Sequence, residues 1–213
     1  MHTLYSRHYN LHMSLTCVLT GDLVASSRLT GADLANALER IEHAFTTLRP
    51  AGAQWLFARN RGDGWQIAMD TPPLQARLAL LIRAELRSLG AEYETRIAIA
   101  QGRATIPESG DLNSALGPAF TASGQLLDTL EGPRIAHAER GALGAALRLL
   151  DHLSEGWTPA QARAMAPMLH PDPPTQTAAA RAIGITRQSL AQALGGAAHD
   201  AIIEALAMIE AIP

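Results

Sequence analysis

Two aspartates of this chain have the types and neighbours to do chemistry together. Asp22 follows Gly21 at the end of an apolar run over 13–20, and Asp63 lies between Gly62 and Gly64 in a turn-rich stretch over 60–64. Two carboxylates brought close repel each other unless a proton or a cation lies between them. A hard divalent ion, Mg²⁺ or Mn²⁺, held by one or two carboxylates together with substrate phosphates, is the usual resolution. The flanking glycines carry no side chain, which would let backbone amides approach a phosphate group. The alternative is that each aspartate simply closes a turn.

Convergence depends on the elements around them. Residues 13–20 read as a strand, and Thr30 caps a helix whose Leu34, Leu38, Ile41, Phe45 and Leu48 recur at helical spacing. Residues 54–58 and 65–69 read as a hairpin around 60–64. Pro72 and Pro73 open a second helix with Leu74, Leu78, Leu81, Ile82, Leu86 and Leu89 on one stripe. A strand over 95–100, a loop over 101–116, a helix over 118–130 and a short strand over 134–137 follow. The order βαββαβ predicts an α+β, ferredoxin-like (palm) antiparallel sheet with its helices on one face. In that arrangement the first and third strands are antiparallel neighbours, so Asp22 and Asp63 meet although they are about 40 positions apart. Period-two alternation sets Leu15, Cys17 and Leu19 toward the helices and Val18, Thr20 and Asp22 toward an open face.

Composition narrows the classes. The 213 residues are 47% hydrophobic and 17% charged with a net charge of −3, which excludes a disordered chain. No stretch has the length of a membrane span, and the opening residues do not read as a signal peptide, so a cytoplasmic protein is expected. A single Cys17 excludes an internal disulfide or a multi-cysteine zinc site. His2, His8 and His12 fit no ligand spacing and read as surface residues. All 17 basic residues are arginine; 14 of them face 14 acids in residues 1–150, and 3 face 6 in 151–213. Neither part has the basic surplus that binding to a phosphate backbone requires.

The stretches 19–24 (LTGDLV) and 61–65 (RGDGW), with the strand 96–102 (RIAIAQG), resemble the metal-aspartate segments of class III nucleotidyl cyclases. The opening 21–28 (GDLVASSR) and 117–120 (GPAF) resemble the SatD family of small bacterial proteins, over most of the chain. The resemblance implies Mg²⁺ or Mn²⁺ on Asp22 and Asp63, and a nucleotide among Gly21, Leu23, Arg28, Gly62 and Gly64. It also places Thr121 and Gln125 where active cyclases carry an asparagine and an arginine, which stabilise charge during phosphoryl attack by about 3–4 kcal/mol per donor. Neither residue here is cationic, so the resemblance implies a nucleotide sensor in preference to an efficient cyclase. Arg28 is the one guanidinium near Asp22 in sequence.

Residues 175–194 resemble a helix-turn-helix: Ala179 at a close-packed position, a turn at Gly184, Ile185 buried, and Thr186 capping a second helix. In a DNA-binding version Arg187, Gln188, Ser189 and Gln192 face the major groove. The local acid excess weakens the electrostatic case for DNA, and the alternative is a trihelical module that packs on the cyclase-like domain or on a partner. A final helix over 197–212 carries Ile202, Leu206, Met208 and Ile209 and reads as a packing or dimer helix, not a membrane anchor. The chain therefore divides into a cyclase-like palm over 13–140 and a helical region over 141–213. The expectation is a regulator, working as a homodimer, in which a nucleotide site is coupled to a helix-turn-helix that binds DNA or a partner. A divergent metal-dependent nucleotidyl cyclase or nucleotidyltransferase, and a non-enzymatic assembly protein, are the alternatives.

Overall fold

The computed structural model describes residues 14–60 and 62–211. Strands β1 (Ser14–Leu23), β2 (Leu56–Arg59), β3 (Trp65–Met69), β4 (Thr95–Ala104) and β5 (Ile135–His137) form one sheet in the order β2-β3-β1-β4-β5. The first four strands have the ferredoxin-like order and are antiparallel, whereas β5 joins β4 in parallel. Helices α1 (Gly31–Leu48) and α2 (Gln75–Leu89) pack on the face that carries Cys17, Leu19, Ile67, Met69, Ile97 and Ile99. A capping box between Thr30 and Asp33 starts α1.

The opposite face is not open. Helix α3 (Pro118–Thr129) lies across β1 and β4, where Val18, Ala98 and Ala100 are buried beneath it. The small side chains are what admit it. A Cβ on Gly102 would touch the Ala119 backbone at 3.3 Å, so helix and strand approach closely there. The expectation of helices on one face alone is thus corrected. The β4–α3–β5 crossover joins parallel strands and needs a helix on the sheet, and the small-residue face supplies the room. Leu15 is exposed at the sheet's end, outside the helical contacts expected of it.

The helical region packs on the outer side of α2. It comprises α4 (Ala142–Glu155), α5 (Pro159–Met168), α6 (Gln176–Ala182), α7 (Arg187–Gly196) and α8 (His199–Glu210). Helix α2 is therefore covered by the sheet on one side and helices on the other, and every residue over 75–86 is buried, Arg77, Arg83 and Glu85 included. The buried arginines are held across the layers. Arg83 donates to Asp151 Oδ1 at 2.7 Å and Ser154 Oγ at 2.6 Å, and Arg77 donates to both oxygens of Glu210 at 2.6 and 2.8 Å. One hydrophobic cluster runs through both layers, from Leu19 to Leu206. Among the described residues no helix is long and apolar enough to cross a membrane.

Candidate functional site

The β1–β4 register sets Asp22 directly opposite Arg96, and both point to the α3 side. Asp22 is part of β1, not a residue just beyond it, so its carboxylate is aimed by the strand. Arg96 grips both carboxylate oxygens. Its Nε donates to Oδ1 at 2.8 Å, a second nitrogen donates to Oδ2, and the third donates to the Leu130 carbonyl at 2.8 Å, at the C-cap of α3. The guanidinium thus closes the negative end of that helix and the end of β1 at once. The Asp22 hydrogen bonds, and then the charges of Asp22, Asp63 and Asp128, hold Arg96 protonated above the usual arginine range against partial burial.

Asp63 is half-buried in the β2–β3 turn, which is closed by the Asn60 amide donating to the Gly64 carbonyl at 2.8 Å. Gly62 takes a positive φ of 78°, the conformation for which a glycine is suited. Gly21 pairs with Trp65, so Asp22 and the turn that carries Asp63 lie at the same end of the sheet. Sequence spacing points to a cation at Asp22, but not to one supplied by the chain's own Arg96. The missed signal is Arg96, a charged residue within the apolar alternation of β4 and in register with Asp22.

The remaining expected residues are distributed as follows. Gly21 is buried, and a Cβ there would lie 2.3 Å from the Trp65 indole, so its bare backbone serves ring packing. Leu23 is core, and Arg28 is exposed in a one-turn helix after Ala25. Thr121 and Gln125 share the solvent side of α3, more than a turn before the end that Arg96 caps. Beneath them Ser123 pairs with Thr20 at 2.9 Å, and Gln66 also donates to Thr20 at 3.1 Å. His2, His8 and His12 lie outside the described residues.

No protein-family model matches the chain, and no curated protein matches it. Solved structures similar to it include an adenylate/guanylate cyclase/hydrolase from Silicibacter pomeroyi, at 22% identity and TM-score 0.45, covering 58% of this chain and 74% of that one. The dimeric guanylyl cyclase domain of the RhoGC fusion protein from the aquatic fungus Blastocladiella emersonii is 18% identical, with TM-score 0.44 and 58% and 79% covered. The guanylyl cyclase Cya2 is 16% identical, with TM-score 0.45 and 58% and 74% covered. Likeness at this level concerns chain path and not chemistry.

The divalent ion expected on Asp22 would meet a competitor in Arg96. Both oxygens of Asp22 are committed to a cation fixed by three hydrogen bonds, and a metal bound there would sit against that positive charge. Among the described residues no group of three or more His, Cys, Asp or Glu is placed to hold a metal ion.

In the helical region α6 and α7 are joined by a turn in which Gly184 has a φ of 75°. Thr186 caps α7 by accepting from the Ser189 amide at 3.0 Å, and Ala179, Leu190 and Leu194 are buried as their spacing predicts. Arg187, Gln188, Ser189 and Gln192 are exposed together on α7. Two expectations are corrected. Ile185 is 40% exposed because the turn carries it past the helix contact, and Met208 faces solvent while Ile202, Leu206 and Ile209 take the packed side of α8.

Proposed function

We propose that this chain is a non-catalytic regulatory protein. Its palm half retains the cyclase-like framework with an internal guanidinium in place of a metal ion, and its helical half contacts a protein partner. The observation that carries the reading is the grip of Arg96 on Asp22, which sets a fixed positive charge against the carboxylate that metal-assisted phosphoryl transfer would use. The absence of a cationic side chain at Thr121 and Gln125 supports it. Exposed Leu149 and Leu153, one turn apart on α4, and Met208 on α8 give the helical half an apolar surface suited to protein contact. The test is a titration of the full chain with ATP and GTP, with and without Mn²⁺, followed by an assay for cyclic product. The expected result is no Mn²⁺-dependent binding and no product. Mn²⁺-dependent binding that Asp22→Asn abolishes would restore the divergent nucleotidyltransferase.

A DNA-binding reading has one specific observation in its favour, the joint exposure of Arg187, Gln188, Ser189 and Gln192 at the start of α7. The acid excess over 151–213 opposes it. Duplex binding at physiological salt that is lost in Arg187→Ala would decide for DNA over a protein partner.

A further inference from the structure

Between α1 and α2 on one side and α5 and α6 on the other lies a cleft of about 360 Å³, within the size range of small-molecule sites. It is away from the Asp22 edge, and no functional residue proposed above lines it. Its walls are apolar at Leu81, Ala166, Pro167 and Ile183. Its floor is charged. Arg40 of α1 and Glu85 of α2 form an ion pair there, and Glu85 is only 7% exposed.

This floor is incompletely paired. Glu85 Oε2 is taken by Arg40 in that ion pair, whereas Arg40 Nε is buried without a hydrogen-bond partner among the described residues. Buried polar atoms in native proteins are rarely left so, and an exception asks for an absent water, ion or ligand. Arg163 of α5 stands at the rim, exposed and without an acid in ion-pair range among the described residues. His170 contributes no free donor, because its Nε2 is engaged by the Thr47 carbonyl at 2.9 Å. His43 is exposed beside Arg40. With Glu85 neutralising Arg40, the charge left over is positive.

We propose that this cleft binds a small organic oxyanion. Its charged end is held by Arg163 and by the exposed part of the Arg40 guanidinium, whose side chain is 36% exposed, and its apolar body lies against Leu81, Ala166 and Ile183. Such a ligand would touch the sheet layer through α1 and α2 and the helical layer through α5 and Ile183. Its presence would tighten the junction between them.

The experiment is calorimetric titration of the full chain with benzoate, phenyl phosphate, inorganic phosphate and benzyl alcohol. The first two distinguish a carboxylate from a phosphate ester. Binding by at least one of them is expected, with affinity roughly tenfold or more weaker in Arg163→Gln. Arg181→Gln on α6, outside the cleft, should bind as the native chain does. The proposal is overturned if neither benzoate nor phenyl phosphate binds the native chain, or if Arg163→Gln binds equally well. It is also overturned if neutral benzyl alcohol or bare inorganic phosphate binds as tightly as the aromatic anions. None of these outcomes depends on Asp22 or Arg96, so failure here and failure of the metal-free reading are separable.

Discussion

Replacing Arg96 by methionine tests the central piece of geometry, since it keeps length and apolar bulk while removing the cation. Three hydrogen bonds vanish, two to Asp22 and one to Leu130, from a side chain about one-third exposed, beside a carboxylate 19% exposed. Fully exposed pairs contribute up to about 1 kcal/mol, and breaking a fully buried one costs about 3–5 kcal/mol. Intermediate exposure therefore puts the Asp22 contribution near 2 kcal/mol, and the lost contact at the end of α3 adds about 0.5–1 kcal/mol. The expected loss is about 2–3 kcal/mol, or roughly 5–10 °C in Tm for a chain of this size. Urea denaturation of native chain, Asp22→Asn, Arg96→Met and the double variant gives the coupling directly, expected at about 1.5–2 kcal/mol. Arg96→Met also leaves Asp22 without its internal cation, so millimolar Mn²⁺ should raise the Tm of this variant and not that of the native chain. A loss under about 0.5 kcal/mol, or an equal Mn²⁺ shift in both proteins, would refute the reasoning.

Further expectations concern packing, burial and titration. Gly21→Ala drives a methyl group into the Trp65 ring and the Arg96 carbonyl, and should cost about 2–3 kcal/mol in urea denaturation, with altered tryptophan fluorescence. Asp151 is fully buried and accepts from Arg83 and from the Ile135 amide at 2.8 Å, so Asp151→Ala, which strands Arg83 in the core, should cost about 3–5 kcal/mol by thermal unfolding. Burial holds His137 below the usual histidine range, with Nδ1 accepting from the Glu139 amide and Nε2 against Gln75. Because the unfolded chain takes up the proton first, stability should be full above about pH 6.5 and fall as pH drops below it, and His137→Gln should flatten that fall in a Tm-against-pH series. Ala198 sits in the left-handed region at φ 57°, so Ala198→Gly should stabilise by about 0.5–1 kcal/mol in the same denaturation assay.

Much of the framework is legible from local pattern. The Ile–Ala alternation over 97–100 reads as a strand because its period is two, and the stripe over 34–48 reads as a helix because its period is 3.6. Caps at Thr30 and Thr186 mark helix starts because a hydroxyl can satisfy an otherwise orphaned amide at either place. Even the placing of Asp22 and of the turn that carries Asp63 at one sheet end follows from strand order.

What the linear pattern leaves out is everything set by elements far apart in the chain. Alanines on one face of β4 look like a weak outer surface until α3 is laid across them. Arg77 and Arg83 are charged residues of α2 that are buried because α4, α5 and α8 pack on its outer side, and Glu85 is buried against Arg40 of α1. Arg96 is an ordinary strand arginine until register sets it against Asp22, 74 positions away, and α3 brings Leu130 to its third nitrogen. Propensity and periodicity are properties of neighbours in sequence, whereas the identity of a cation's partner depends on which surfaces are buried against each other, and tertiary packing decides that.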